Sequence, residues 1–149
     1  MTGFSHLDET GKVRMVDVGA KPLSRRRARA RASVAMRSAT AAQLASLPKG
    51  DALTTAQIAG VMAAKRTSEL IPLCHPLPLS FVDVSVAIVE NGADVTSTVE
   101  TTAQTGVEME ALVAAATAAL TIYDMAKAVD DSMVVSEVRL LEKTKEAQA

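Results

Sequence analysis

The chain has 149 residues, 16 Lys and Arg against 17 Asp and Glu. That length fits one domain over 1–149 with a sizeable core, and the charge balance marks no particular partner. A single cysteine, Cys74, excludes an internal disulfide framework. No charged start followed by an apolar stretch resembles a signal peptide, and no run approaches the length of a membrane helix, so a cytoplasmic protein with no membrane partner is expected.

Charge is unevenly spread along the chain. Residues 1–75 carry a balance of +7 and residues 76–149 one of −8. Such asymmetry can signal an anion-binding end, unless folding interleaves the halves.

The elements follow in order. Residues 1–25 read as an irregular arm with a short extended piece at Val13–Val18. From Arg27 to Met36, Arg27, Arg29 and Arg31 alternate with Ala28, Ala30, Ala32 and Val34, which is strand periodicity. Residues 54–71 read as a helix, with Thr54 and Gln57 as a capping box and Ile58, Val61 and Met62 as its apolar stripe. Pro72 ends it. Val82, Val84, Val86 and Ile88 alternate with polar or small residues, and Asn91-Gly92 signals a two-residue hairpin before a return strand at 95–102. A second helix is predicted over about 106–129, its stripe being Met109, Leu112, Val113, Ala116, Leu120 and Tyr123. A last strand covers 134–141, leaving a short tail at about 144–149. The order βαββαβ implies an α+β, ferredoxin-like fold: an antiparallel sheet with two main helices packed on one face. The other face stays uncovered, which invites self-association.

Four places carry chemistry. Lys65 lies seven residues after Ile58 on the predicted stripe, where an ammonium either snorkels to solvent or meets an anion. Residues 70–78 hold Pro72, Pro76 and Pro78, a rigid loop presenting Cys74 and His75, and a fixed histidine suits proton transfer. One Cys and two His fall short of a structural zinc set, so no metal site is expected. Thr105-Gly106 before Glu108 and Glu110 is either ordinary capping or an anion cradle at a helix start. Asp124 and Lys127, three apart, share a helix face, either as a surface ion pair or as a partly buried acid–base pair. Fourteen residues separate Glu110 from Asp124, about 21 Å at ~1.5 Å per residue. Both cannot reach one small reacting centre within one chain, so an elongated ligand or a site shared by two subunits follows, the oligomer being simpler.

Taken together, several stretches resemble the molybdenum cofactor biosynthesis protein C family, the cyclic pyranopterin monophosphate synthases. They are Met15-Val-Asp-Val18, Ala63-Ala-Lys-Arg-Thr67, Leu70-Ile-Pro-Leu-Cys-His-Pro76, Thr105-Gly-Val-Glu-Met-Glu-Ala-Leu112 and Leu120-Thr-Ile-Tyr-Asp-Met125. The resemblance implies a lyase acting on a cyclised dihydroguanosine triphosphate, with pyrophosphate released. It also implies a homohexamer, a trimer of dimers with sites at subunit interfaces, and no required cofactor, Mg²⁺ with the triphosphate being compatible. It casts Asp124, Lys127, Lys49 and Lys65 as catalytic. Leu73, Cys74, His75, Met109, Glu110, Glu108, Asp17, Lys21, Arg26 and Lys143 are cast as substrate-binding. Two departures stand out: Gln104 replaces a common Lys or Arg, and the tail from Lys143 lacks the family's Gly-rich ending.

Two rival readings exist. A non-catalytic nucleotide-binding regulatory domain of the same fold would tolerate loss of Asp124. An RNA-binding module would need base-stacking aromatics on the sheet, where the strands offer only Phe81, so no nucleic-acid partner is expected.

Overall fold

A computed structural model describes residues 3–148; Met1 and Thr2 of the expected arm and Ala149 of the expected tail lie outside them. Strand β1 (Ser24–Ala35) shows how the sheet is built. Its Ala28, Ala30, Ala32 and Val34 are buried, while Arg25, Arg27, Arg29 and Arg31 stand on the opposite face. Around it lie β2 (Leu79–Val89), β3 (Gly92–Ala103) and β4 (Val134–Ala147), in the order β2-β3-β1-β4 with every neighbouring pair antiparallel. Cross-strand pairs such as Ala28 with Val99 and Ala32 with Val95 place small and branched side chains under two helices, α2 (Ala52–Lys65) and α4 (Glu108–Ala126). The one-turn helices α1 (Ser38–Ala41) and α3 (Thr67–Leu70) are additions to this frame. The fold is the expected α+β, ferredoxin-like arrangement.

The charge asymmetry disappears on folding. Arg25 and Arg27 reach Glu100 at 3.1 and 3.2 Å, Arg27 also reaches Glu142 at 2.8 Å, and Arg31 reaches Asp94 at 3.1 Å. First-half cations are thus laced to second-half anions across the open sheet face, not gathered into a basic end.

Both helix stripes differ from the sequence expectation. The face of α2 that is buried is Ala52, Ala56, Gly60, Ala63 and Ala64, and Ile58, Met62 and Lys65 are exposed. On α4 the buried row is Ala111, Ala114, Ala115, Ala118, Ala119 and Ile122; Leu120 is exposed and Met109, Leu112, Val113, Ala116 and Tyr123 are half-buried. The two helices meet through their alanines, because small side chains let the backbones approach and bulky ones are pushed to the flanks. Gly60 marks the tightest point: a Cβ there would stand 2.9 Å from Val84 Cγ2 and 3.1 Å from the Ala114 carbonyl oxygen. Gly60→Ala gains helix propensity of ~1 kcal/mol but overpacks the seam at ~1–3 kcal/mol, so thermal unfolding should report a lowered midpoint. An unchanged or raised midpoint would show slack in the seam.

Boundaries differ for local reasons. The cap of α2 is Asp51, whose Oδ1 accepts from the backbone N–H groups of Leu53 and Thr54 at 2.9 and 3.1 Å, so no Thr54–Gln57 capping box forms. The predicted helix over 54–71 breaks at Arg66, and α3 follows it before Pro72. The hairpin loop is Glu90–Asn91, with Gly92 already paired to Val89. Glycine is required there by close approach, since a Cβ would lie 2.2 Å from the Val34 carbonyl oxygen. Val13–Val18 forms no strand, only an isolated bridge from Val13 to Leu7. Strand β4 continues past Leu141 to Ala147, pairing Thr144 with Arg27 and Ala147 with Ser24, so most of the expected tail is sheet. Helix α4, at 19 residues, is long and apolar enough to cross a membrane by length and composition, contrary to the expectation, and half of it is buried inside the fold.

Candidate active site

The helix α4 is continuous, so its two ends stay far apart, and each end carries its own cluster. At the N-terminal end a cavity of about 520 Å³ opens between the arm, the proline-rich loop and the start of α4. Lys21, Leu73, Cys74, His75, Thr105, Glu108, Met109 and Glu110 line it, which brings together three of the sequence-read segments. The His75 Nε2–H donates to the Val16 carbonyl oxygen at 2.7 Å, which fixes the ring and leaves Nδ1 as the nitrogen able to exchange a proton.

Glu110 is the chemically telling residue of this cavity. It is 3% exposed, its Oε1 accepts from the Cys74 thiol at 3.7 Å, and its Oε2 has no hydrogen-bond partner among the described residues. Burial pushes its carboxyl above the usual range, opposed in part by hydrogen bonding. The Cys74 thiol is raised to about 11, first by burial and then by the neighbouring Glu110 charge, so it is a poor nucleophile at neutral pH. An unpartnered buried carboxyl facing a cavity is a ready donor or acceptor for a polar ligand. The raised pKa has a consequence for stability. The fold favours neutral Glu110, so its stabilising contribution is present at low pH and is lost as pH rises through the raised value. Glu110→Gln should therefore raise the thermal midpoint more at pH 8 than at pH 5. An equal change at both pH values would contradict the raised pKa.

Beside this cavity, and sharing Gly106 and Glu108 with it, lies a smaller one of about 240 Å³ that includes Arg26, Arg27, Lys143 and Lys145. Lys143 Nζ is 3.4 Å from Glu108 Oε1. Arg26 donates to Ser24 Oγ at 2.6 Å and to the Gln104 carbonyl oxygen at 3.4 Å. Gln104 thus helps hold Arg26 through its backbone, which any residue at that position can do.

The second cluster sits at the C-terminal end of α4. Lys127 Nζ lies 2.6 Å from Asp124 Oδ1, and Lys49 Nζ lies 3.2 Å from Asp124 Oδ2. Lys49 arrives on a tight turn closed by reciprocal backbone hydrogen bonds between Leu47 and Gly50, at 3.0 and 2.8 Å. The two lysines hold the Asp124 carboxyl below its usual range, Lys127 contributing most, and Asp124 in turn raises Lys127. The partial burial weighed for this pair is absent in the single chain: Asp124 and Lys127 are each 55% exposed, because Ile122, Met125 and Ala126 take the inward positions.

Two expected residues stand outside both clusters. Lys65 is exposed beside Leu77, Leu79 and Phe81, where the shifted phase of α2 places it. Asp17 is exposed, and its Oδ1 accepts from the Gly19 N–H at 2.9 Å. The sequence reading missed His6, which the arm folds into the cavity lining with its Nδ1 3.2 Å from the Arg14 carbonyl oxygen. No local pattern marks it; it is brought to His75 only by the fold. Among the described residues no group of three His, Cys, Asp or Glu side chains is arranged to hold a metal ion.

The sequence model of the MoaC family matches residues 15–146, a span that contains every expected site residue. The chain belongs to the MoaC family. Its similarity to curated MoaC relatives is close. It is 55% identical over 145 residues to a protein of Herpetosiphon aurantiacus, covering 95% of this chain and 88% of the relative. It is 53% identical over 148 residues to one of Roseiflexus castenholzii, covering 97% and 94%. To one of Oleidesulfovibrio alaskensis it is 56% identical over 147 residues, covering 96% and 92%. All three relatives are named cyclic pyranopterin monophosphate synthase. His6 lies before the segment matched by the MoaC model, whereas Asp124, Lys127 and Lys49 lie within it.

Proposed function

We propose that this chain is a cyclic pyranopterin monophosphate synthase, a pyrophosphate-releasing lyase of molybdenum cofactor (molybdopterin) biosynthesis. The reading is carried by identity above 50% over at least 95% of the chain to relatives of that name. The residue set at the two ends of α4 fits the chemistry. In the cyclised dihydroguanosine triphosphate the five-membered purine ring must open and a pterin ring close, which calls for proton donors and acceptors and no change of oxidation state. His75 and Glu110 at one end, and Asp124 with Lys127 at the other, are the groups able to move those protons. A substrate hydroxyl then attacks the α-phosphorus, its P–O bond forms, the bond to the β-phosphate breaks, and pyrophosphate leaves with the electron pair. Lys21, Arg26, Lys49, Lys65 and Lys143 are the cations available to spread that charge. Asp17 and Glu108 belong to the binding surface, with Leu73, Cys74 and Met109 shaping the base pocket.

Since α4 holds the clusters about 21 Å apart at ~1.5 Å per residue, each complete site joins the N-terminal cluster of one subunit to the C-terminal cluster of another. A homohexamer built as a trimer of dimers supplies such interfaces. The exposed apolar side chains Ile58, Met62, Phe81 and Leu120 are suited to be covered there. The reaction needs no resident cofactor; a Mg²⁺ would arrive with the triphosphate. A single domain over 1–149, acting in the cytoplasm, completes the reading. The test is direct: purified protein given the cyclised dihydroguanosine triphosphate should release pyrophosphate and pterin product in equal amounts. Binding without turnover would favour a regulatory domain instead.

A further inference from the structure

Beneath the Lys49–Asp124–Lys127 cluster lies a buried carboxylate that none of the chemistry above uses. Asp130 is 1% exposed. It sits in the turn that ends α4, its own N–H bonded to the Ala126 carbonyl oxygen at 3.1 Å. Its Oδ2 accepts from the Arg37 backbone N–H at 3.0 Å and from Thr40 Oγ1 at 2.8 Å, with Arg37 Nε at 3.5 Å. Its Oδ1 accepts from the N–H and hydroxyl of Ser132 at 2.8 and 2.6 Å. The Arg37 guanidinium also donates to the Val129 carbonyl oxygen. Four hydrogen-bond donors keep Asp130 ionised well below the usual carboxylate range, foremost the Ser132 hydroxyl and the Arg37 N–H.

What these bonds join matters more than their number. Arg37 and Thr40 open the segment that runs through α1 to the turn bearing Lys49, and Asp130 closes the helix that bears Asp124 and Lys127. From α1 onward that segment is pinned by buried Leu44 and Leu47 and by the Ala52 N–H on the Leu44 carbonyl oxygen at 2.8 Å. Lys49 itself is on an exposed turn, and its side chain reaches Asp124 only if the turn is held against the helix end. A misplacement of about 1 Å in a catalytic group is enough to cost rate, so the position of the turn that carries Lys49 matters to the pair.

We propose that Asp130 is a positioning residue: it clamps the Lys49-bearing segment to the end of α4 and so sets the distance from Lys49 to Asp124. The clamp gains its catalytic meaning from the synthase reading, but its geometry is testable without turnover. The readout is the titration of the Asp124 carboxyl carbon, followed by NMR in the intact protein labelled at aspartate carboxyls. Lys49 and Lys127 are the charged groups that face Asp124.

Thr40→Val removes one clamp hydrogen bond at constant shape. It should move the Asp124 midpoint upward, in the same direction as Lys49→Ala, and lower kcat with little change in KM. Thr40→Ser should restore both. In a Lys49→Ala background Thr40→Val should move the midpoint no further, because the effect passes through Lys49. Ser132→Ala removes a bond within the Asp130 turn and none of those that cross to Arg37 and Thr40, so it should move the midpoint less than Thr40→Val does. Arg37→Gln, on an exposed side chain, repeats the test should Thr40→Val unfold. An unmoved midpoint in the folded clamp variants, or an equal shift with and without Lys49, would overturn the proposal. Absence of turnover by wild type would instead count against the synthase reading and leave the titration result standing.

Discussion

Lys49→Ala and Asp124→Asn should each reduce turnover by about 10²–10³-fold while leaving the chain folded. Asp124 is held between two ammonium groups, at 2.6 and 3.2 Å. Replacing it with Asn keeps the shape and removes both the charge and the proton acceptor. Lys49→Ala removes a cation that lowers the Asp124 pKa and that the proposed reaction assigns to the phosphate charge. The two variants should differ in pH dependence. With Lys49 absent, Asp124 is stabilised as a carboxylate by Lys127 alone, so its midpoint rises toward the ordinary value. The acid limb of the remaining activity then moves to higher pH. Pyrophosphate release measured from pH 4 to 8 checks both statements. Residual activity near wild type in either variant would remove this cluster from the chemistry. All three side chains are solvent-exposed in the single chain, so the substitutions should cost little stability.

The sheet was legible because one of its faces is buried. Alternation of arginine with alanine in 27–34, and of valine with polar residues in 82–88, leaves one register for the core, and the strands fell where the alternation placed them. Helix phase was misread for the complementary reason. The largest apolar side chains, Ile58, Met62, Leu112 and Leu120, point to one phase. The α2–α4 seam is instead made of alanine and Gly60, whose burial comes from close backbone approach. The spacing Ala111, Ala115, Ala118, Ile122 has the period of a helix face and was in plain view. The same phase error put Lys65 on the inner stripe.

Site residues were legible in proportion to their sequence locality. Pro72, Pro76 and Pro78 announce the rigid loop, and Cys74 and His75 do line the cavity. Glu110 follows from its place in the first turn of α4, although its unpartnered oxygen is a property of packing. Nothing local marks Lys49, which is known here through the family resemblance and then by its distance to Asp124. Asp130 looks in sequence like any acidic turn residue, and only the β1–α1 corner folded onto it shows its partners.

The measurement that tests the account most directly is complementation between subunits. Glu110 and Asp124 lie near opposite ends of an unbroken 19-residue helix, so one chain cannot bring both to a single reacting centre. If complete sites join two chains, Glu110→Gln and Asp124→Asn each spoil every site in a pure oligomer. In a mixed oligomer some sites receive both native halves. Equal co-expression with random assembly leaves about one quarter of the sites intact, because each needs one particular chain on each side. Pyrophosphate release by the mixture should therefore recover to about 25% of wild type, far above either parent, while a chain carrying both substitutions rescues nothing. No recovery, in oligomers shown to contain both chains, would contradict a site shared between the two ends of α4.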